Sequence, residues 1–334
     1  MAKAKQVFSP KEFSCWVKAE VTSGTSVKGT SMYALDVDSV SYPSLNVTQS
    51  LEARTGSRVL KDADFYQDNV MRMVELSLSG NLHNDTAHKL LMSNICNDYA
   101  TGDPGISVAA TYDSPQVTYN PATTNTTAGD TLTVAVAAPD LTSPADATHL
   151  IFPGCIVTNF TISADMATEG GRYKWSATLQ TGKSPELDGS TDLGGTAYVN
   201  TDIPKLSSSS NHMVFALDAV MNNFTVTLDN PAIGVGVCAT GYEAMGRGSE
   251  FSVTFDTQIK YDTNFKALVN SFDTQTAAKA ADLFEFTNNA AFGVDIDNGV
   301  LTNVAYSEGD MMMLDVSGKA TSDGSPPLVS FDVA

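Results

Sequence analysis

Every second residue is apolar through several long stretches of this chain. The pattern runs along Leu132-Val134-Val136, Ile156-Thr158-Phe160-Ile162, Tyr173-Trp175-Ala177-Leu179 and Phe224-Val226-Leu228, with Thr, Ser, Lys and Gln between. A period of two predicts half-buried antiparallel strands with one face on a core and the other on water. Gly, Asn, Asp and Ser supply turns between them, such as Glu169-Gly170-Gly171 ahead of the Tyr173 strand. A helical period is rare. One helix is predicted from an N-cap at Asp262 or Thr263, with Phe265, Leu268, Val269 and Phe272 at i, i+3, i+4 and i+7. A second starts at Asp85 or Thr86 and places His88, Leu91, Met92 and Ile95 on one face. Ala277–Leu283 is read as a further short helical stretch.

These two helices belong to a repeat. The segment Val74–Asn94 reappears at Phe251–Ser271 under one ungapped shift of 177 residues, which puts Asp85-Thr86 on Asp262-Thr263 and Leu91 on Leu268. Val74, Leu76 and Leu78 fall on Phe251, Val253 and Phe255, so strand alternation and helix start repeat together. Further echoes are Thr158-Asn159-Phe160 with Thr302-Asn303-Val304, Thr181-Gly182-Lys183 with Ser317-Gly318-Lys319, and Asn46-Val47-Thr48 with Thr225-Val226-Thr227. The expected architecture is mainly β: two tandem sandwiches or partial barrels, each with one flanking helix. The first covers residues 1–190, with a surface insertion at about 100–144 holding one hairpin strand. A linker follows at 191–210, rich in Ser, Thr and Gly, and the second domain spans 211–334.

Composition narrows the function. Lys and Arg number 19 against 38 Asp and Glu, a net charge of −19, and such a field repels phosphate backbones. Charged residues make up 17%, below the roughly 25% of ordinary domains, and uncharged polar residues replace them. No apolar run approaches the ~20 residues of a membrane span, and no apolar segment follows the basic N-terminus, so no signal peptide is expected. The four cysteines are far apart and are read as buried residues of a protein made in a reducing compartment.

Candidate chemistry is sparse. His83, His88, His149 and His212 show no metal-ligand spacing, and His88 occupies the place of Phe265, which suggests packing. Gly234-Val235-Gly236-Val237-Cys238-Ala239 only approaches a dinucleotide loop and has no strand-helix-strand context. Asp295-Ile296-Asp297-Asn298-Gly299 begins like a calcium loop but lacks its later ligands, so a tight hairpin turn is expected. Asp36-Val37-Asp38 and Asp62-Ala63-Asp64 are read as exposed edges. No metal, cofactor or catalytic pair is expected. Gly56–Val70 differs: Arg58 and Lys61 stand among Asp62, Asp64, Asp68, Phe65 and Tyr66. This mixture suits either a solvated loop or docking on another subunit.

The opening Trp16–Thr25, the stretch Asn223–Asn230, the hairpin Gly154–Gly182 and the repeated strand-to-helix block resemble the tail tube proteins of long-tailed bacteriophages. The resemblance implies small β-domains arranged six to a ring around a channel, with rings stacked through N-terminal arms and a long inter-strand loop. Gly56–Val70 falls at that loop, and Gly234–Gly248 is a shorter, glycine-rich version in the second half. Two domains per chain would make a trimer a pseudo-hexamer, its sheets continued from subunit to subunit. The implied partners are the chain itself and tape-measure, tail-terminator and baseplate or tail-tip proteins, with DNA passing unbound through an acidic channel. The implied location is the virion tail, assembled in the host bacterial cytoplasm. Two other readings remain open: a tail-terminator or capsid decoration protein, and a secreted carbohydrate-binding or adhesin sandwich.

Overall fold

The computed structural model describes residues 13–29, 32–41, 48–51, 65–68, 74–96, 107–110, 118–119, 131–137, 149–188, 195, 204–206, 211–235, 244–248, 250–273, 279–288, 292–307, 312–321 and 328–333. In chain order the first half contains β1 (Ser14–Ala19), β2 (Tyr33–Leu35), β3 (Ser39–Ser41), β4 (Thr48–Leu51), β5 (Phe65–Asp68), β6 (Val74–Asn81), α1 (Thr86–Cys96), β7 (Ser107–Ala110), β8 (Thr118–Tyr119), β9 (Leu132–Ala137), β10 (His149–Asp165), α2 (Met166–Glu169), β11 (Tyr173–Thr181) and β12 (Glu186–Asp188). The second contains β13 (Asn211–Val214), β14 (Leu217–Asp218), β15 (Met221–Asp229), β16 (Ala232–Val235), β17 (Ala244–Arg247), β18 (Ser252–Lys260), α3 (Thr263–Asp273), β19 (Lys279–Asn288), β20 (Phe292–Ser307), β21 (Met313–Ala320) and β22 (Val329–Val333). The protein is mainly β, with antiparallel sheets and three short helices among the described residues.

The strand pairings of the two halves run in parallel. In the first half one sheet has the order β2-β1-β9-β10-β12 and another the order β3-β6-β11-β10. In the second half the corresponding orders are β14-β13-β19-β20-β22 and β15-β18-β21-β20. Each half therefore has one long strand, β10 or β20, whose first part serves one sheet and whose second part serves the other. A strand can change sheets only by bending, and bulges supply the bend. In β10 the register shifts between Phe152 and Cys155 and between Val157 and Asn159, and Gly154 adopts a left-handed φ of 68°. In β20 it shifts between Leu301 and Asn303, just after Gly299, where a Cβ would lie 2.4 Å from the Lys319 carbonyl oxygen.

The pairings branch at these strands, and no pair among the described residues closes them into a barrel. The halves are joined through β10 and β15, which pair from Asn159 with Asp229 to Asp165 with Asn223. They also share a core. The Tyr173 ring stands edge-on to Phe224 at 5.4 Å and to Phe286 at 5.3 Å, both from the second half. β7 adds to β22 by pairing Ala110 with Val329, and β8 pairs with β17.

The repeated helices are capped alike. Asp85 Oδ1 accepts from the His88 backbone N–H at 3.0 Å, and Asp262 Oδ1 from that of Phe265 at 3.4 Å. Leu91, Met92, Ile95, Phe265 and Leu268 are buried, with Val269 and Phe272 partly so and packed on the same core.

Several expectations are corrected. Lys279–Asn288 is strand β19, so the helical stretch at Ala277–Leu283 does not form in its described part; Leu283, Phe284 and Phe286 are needed by the core. Asp295–Gly299 is no hairpin turn but lies inside β20, with Val294 and Ile296 buried and the aspartates on the opposite face. The 100–144 insertion includes β9, whose six residues are all buried between β1 and β10. The 191–210 linker contributes Pro204–Leu206, where the Leu206 N–H donates to Gly171 O and the Tyr173 N–H to Pro204 O. Three echoes are out of register. Asn303 and Val304 take the places of Thr161 and Ile162, not those of Asn159 and Phe160. Ser39–Ser41, pairing with β6 as Thr225–Thr227 pair with β18, take the place assigned to Asn46–Thr48. Ser317 corresponds to Ser176, not Thr181.

Two buried polar groups hold the joints. Arg247 donates to the carbonyl oxygens of Asn230 at 2.7 Å and Asn94 at 2.8 Å, and to that of Val157. Asn230 Nδ2 donates to Ile95 O at 2.8 Å, so residues of the second half satisfy the carbonyls that end α1. Glu20, 1% exposed, accepts from the hydroxyl of Thr133 at 2.7 Å and the N–H of Gly154 at 2.8 Å, and also from Thr131 and Gly24. Burial pushes its carboxyl above the usual range although these donors pull the other way.

Arg247→Ala should lower stability by about 2–4 kcal/mol, measured by urea unfolding, because buried carbonyls lose their donor. Glu20 contributes a different signature. Its raised folded-state pKa makes its contribution complete below the unfolded value and lost as pH rises through the folded one. The stability gap between wild type and Glu20→Gln should therefore narrow as pH rises through and above the ordinary carboxylate range in paired unfolding curves.

Candidate assembly interface

The joined sheet β3-β6-β11-β10-β15-β18-β21-β20 has two unlike faces. Its inner face carries Leu78, Trp175, Ile162, Val226, Phe255 and Val316, all buried. Its outer face is a lattice of hydroxyls, amides and scattered charges. Ser77 and Thr178 hydroxyls meet at 3.5 Å and those of Thr161 and Thr227 at 3.4 Å, each across a strand boundary. Carboxylates are tied sideways: Glu75 accepts from Gln180 at 3.1 Å, Asp315 from Gln258 at 3.0 Å and Asp256 from Ser317 at 2.6 Å. On this face Glu75, Asp165, Asp229, Asp256 and Asp315 stand against Lys174, Lys260 and Lys319. It is polar with a modest acidic excess, and most of the chain's −19 lies elsewhere.

Both ends of this sheet present an edge. β3 pairs with β6 alone among the described residues. At the other end, Asn303–Ser307 of β20 pair with β21 on one side and with no described strand on the other. Large apolar side chains stand exposed around that end. Tyr306 is 51% exposed and lies 5.8 Å from the Tyr261 ring; Met312, whose carbonyl accepts from the Tyr261 N–H, is 58% exposed.

Of the expected docking residues, Arg58, Lys61, Asp62 and Asp64 lie outside the described residues. Phe65 and Tyr66 fall on β5, a strand where a loop was expected, opposite Leu51 and Ser50 of β4. The ribbon β4-β5 stands between β3 and β6 in chain order, as β16-β17 stands between β15 and β18. The second ribbon is bound to its own chain: β17 takes on β8, Met245 is buried with Ile156, and Arg247 reaches α1.

The histidines are placed by packing. His88 is fully buried, its Nδ1 2.7 Å from Asp85 Oδ1 and its ring edge-on to Trp175. Burial pushes the Asp85 carboxyl up, but His88 and then His83 outweigh it and hold it below the usual range. His83 Nε2 lies 2.9 Å from Asp36 Oδ2, so Asp36 is a partner of a buried ring and not an exposed edge. Asp38 is exposed and pairs with Lys174 at 3.0 Å. No grouping of His, Cys, Asp and Glu suited to a metal occurs among the described residues. Burial pushes the Cys15 thiol up to about 12, the mark of an inert core sulfur.

Sequence reasoning missed Glu20, Asn94, Asn230 and Arg247. Their only signal was position: Glu20 interrupts an apolar-polar alternation, and Arg247 sits between glycines.

No family model matches the chain, and no curated protein matches it. No helix among the described residues is long and apolar enough to cross a membrane.

The contrast between the faces is testable on adjacent residues. Ser176→Lys, on the exposed lattice, should change stability by no more than about 0.5 kcal/mol. Trp175→Ala, one residue away on the core face, should cost about 3–5 kcal/mol in the same urea titration.

Proposed function

We propose that this chain is a structural virion protein, the tube-forming subunit of a long-tailed bacteriophage tail. Residues 1–190 and 211–334 are two tandem tube domains joined by the 191–210 linker. Three chains close into a pseudo-hexameric ring, and rings stack into a conduit for genome delivery. The observation that carries this reading is the repeated strand order together with the β10–β15 junction, where the sheet of one half runs on into that of the other. A repeated unit that extends its sheet at one joint and ends in bare edges is suited to closing around an axis.

The outer face of the joined sheet is the natural channel lining. Its hydroxyls and amides offer DNA no array of cations to displace counterions, and its carboxylate excess repels phosphate. The subunit works without a catalytic centre or cofactor. Its partners are further copies of itself and the tape-measure, tail-terminator and baseplate or tail-tip proteins. It is built into the virion tail after assembly in the host bacterial cytoplasm.

Negative-stain imaging of the purified chain, with native mass measurement, tests this. Stacked rings with a central hole, at three times the 35.3 kDa chain mass per ring, are expected. Six chains per ring would overturn the trimer. A single ring that never stacks would favour a terminator or decoration protein, and monomers that bind glycans an adhesin-like one.

A further inference from the structure

The free edge at Asn303–Ser307 is the counterpart of an edge that is already occupied elsewhere in the same chain. Within the first half, the second part of β10 pairs with β11 on one side and β15 on the other. Within the second half, the second part of β20 pairs with β21 on one side only among the described residues. What β15 does for β10, no described strand does for β20. The difference shows in exposure: Ala164 is 4% exposed, whereas Tyr306, its counterpart, is 51% exposed.

The missing strand can be named by the same correspondence. β15 pairs with β18 as β3 pairs with β6: Val226 lies opposite Phe255 and Val40 opposite Leu78, and Leu78 and Phe255 are related by the 177-residue shift. β3 is thus the first-half equivalent of β15, and it too is an edge. Neither edge carries the guards that keep free strands apart. Asn303-Val304-Ala305-Tyr306-Ser307 and Ser39-Val40-Ser41 contain no charge and no proline, although unguarded edges invite a partner strand.

We propose that β20 of one copy pairs antiparallel with β3 of a second copy, repeating between chains the β10–β15 junction found within each chain. The proposal deepens the tube reading and rests on it for the number of copies that close the ring. The internal junction also sets the register. Ile162 lies opposite Trp175, which lies opposite Gly80; Val304 lies opposite Val316, which lies opposite Thr257. Gly80 and Thr257 are again 177 residues apart, so Val304 takes the place of Ile162. Because Ile162 faces Val226, Val304 faces Val40 of the second copy, with Asn303 against Ser41 and Ala305 against Ser39. Both valines then lie on the core side, and the small polar residues continue the outer lattice without a break.

The test uses the full chain carrying Ala305→Cys and Ser39→Cys together, oxidised with copper phenanthroline and run on non-reducing gels beside each single variant. The expected result is two- and three-chain species that only the double variant forms and that a reductant dissolves. Imaging the same samples separates the two proposals. Rings without this cross-link overturn the junction and leave the tube reading standing. Cross-linked chains without rings support the junction and count against the tube reading. Cross-linking by Ser307→Cys with Ser39→Cys in place of the first pair overturns the register.

Discussion

The structure depends on one backbone constraint: in each half a single long strand must serve two sheets. β10 meets it with bulges at Phe152–Cys155 and Val157–Asn159 and β20 with one at Leu301–Asn303, and those bulges turn the second part of each strand away from its first neighbours. After the turn, a new edge of N–H and C=O groups is exposed, and such groups demand partners. β15 satisfies the edge of β10, and this binds the halves into one sheet. The same geometry in β20 meets no partner strand among the described residues. In the proposed junction, internal cohesion and the joining of another copy would be two outcomes of one device, separated only by whether the partner strand follows in the same chain.

The bent joints are fixed by polar groups held inside. Arg247 spans the Val157 bulge, Asn230 and the end of α1, three places that apolar packing alone would leave with bare carbonyls. A cation at the carbonyl end of a helix also meets the negative end of its dipole. Glu20 plays the equivalent part at Gly154, where β10 first turns. The two helices differ accordingly. α1 is buried along nearly its whole length, with strands of both its sheets and the arginine around it. α3 keeps Thr263, Lys266, Asn270 and Asp273 exposed and leans on β20. Similar sequence blocks therefore carry different loads of burial.

Much of this was legible in the sequence because one-sided burial leaves a period of two. β6, β10, β11, β15 and β18 all announce themselves by alternation, and both helix starts by an aspartate cap. What was not legible is what breaks the period. β9 is buried on both faces, so its surroundings, rich in Thr, Ala and Pro, passed for an excursion. Asp295–Gly299 has the residues of a turn, yet its aspartates merely occupy the outward positions of a strand that bends nearby. Burial pushes the Asp297 carboxyl up, helped by Asp282, which no local pattern foretells. The slipped echoes have a different origin: short runs of alternating Thr, Ser and Val recur on many strands, so similarity over three residues does not fix which runs are equivalent. Buried polar pins such as Arg247 were invisible because their meaning lies in carbonyls contributed by distant segments.

The halves are alike in strand order but unequal in their ribbons, and the inequality bears on how rings would stack. β16-β17 is drawn onto its own chain by β8, by the burial of Met245 and by Arg247, and every one of these ties must break before it could reach outward. Among the described residues β4-β5 pairs only with itself. In the tube reading, a ring of three chains would then offer axial neighbours three ribbons of one kind and three of another. Ring closure, which uses only the equivalent edges, would follow the pseudo-sixfold repeat. Stacking, which draws on ribbons that differ in their attachments, would obey only the true threefold. A duplicated chain gains this freedom over a single-domain subunit: one copy of a loop can be committed to holding the fold while the other remains available for assembly.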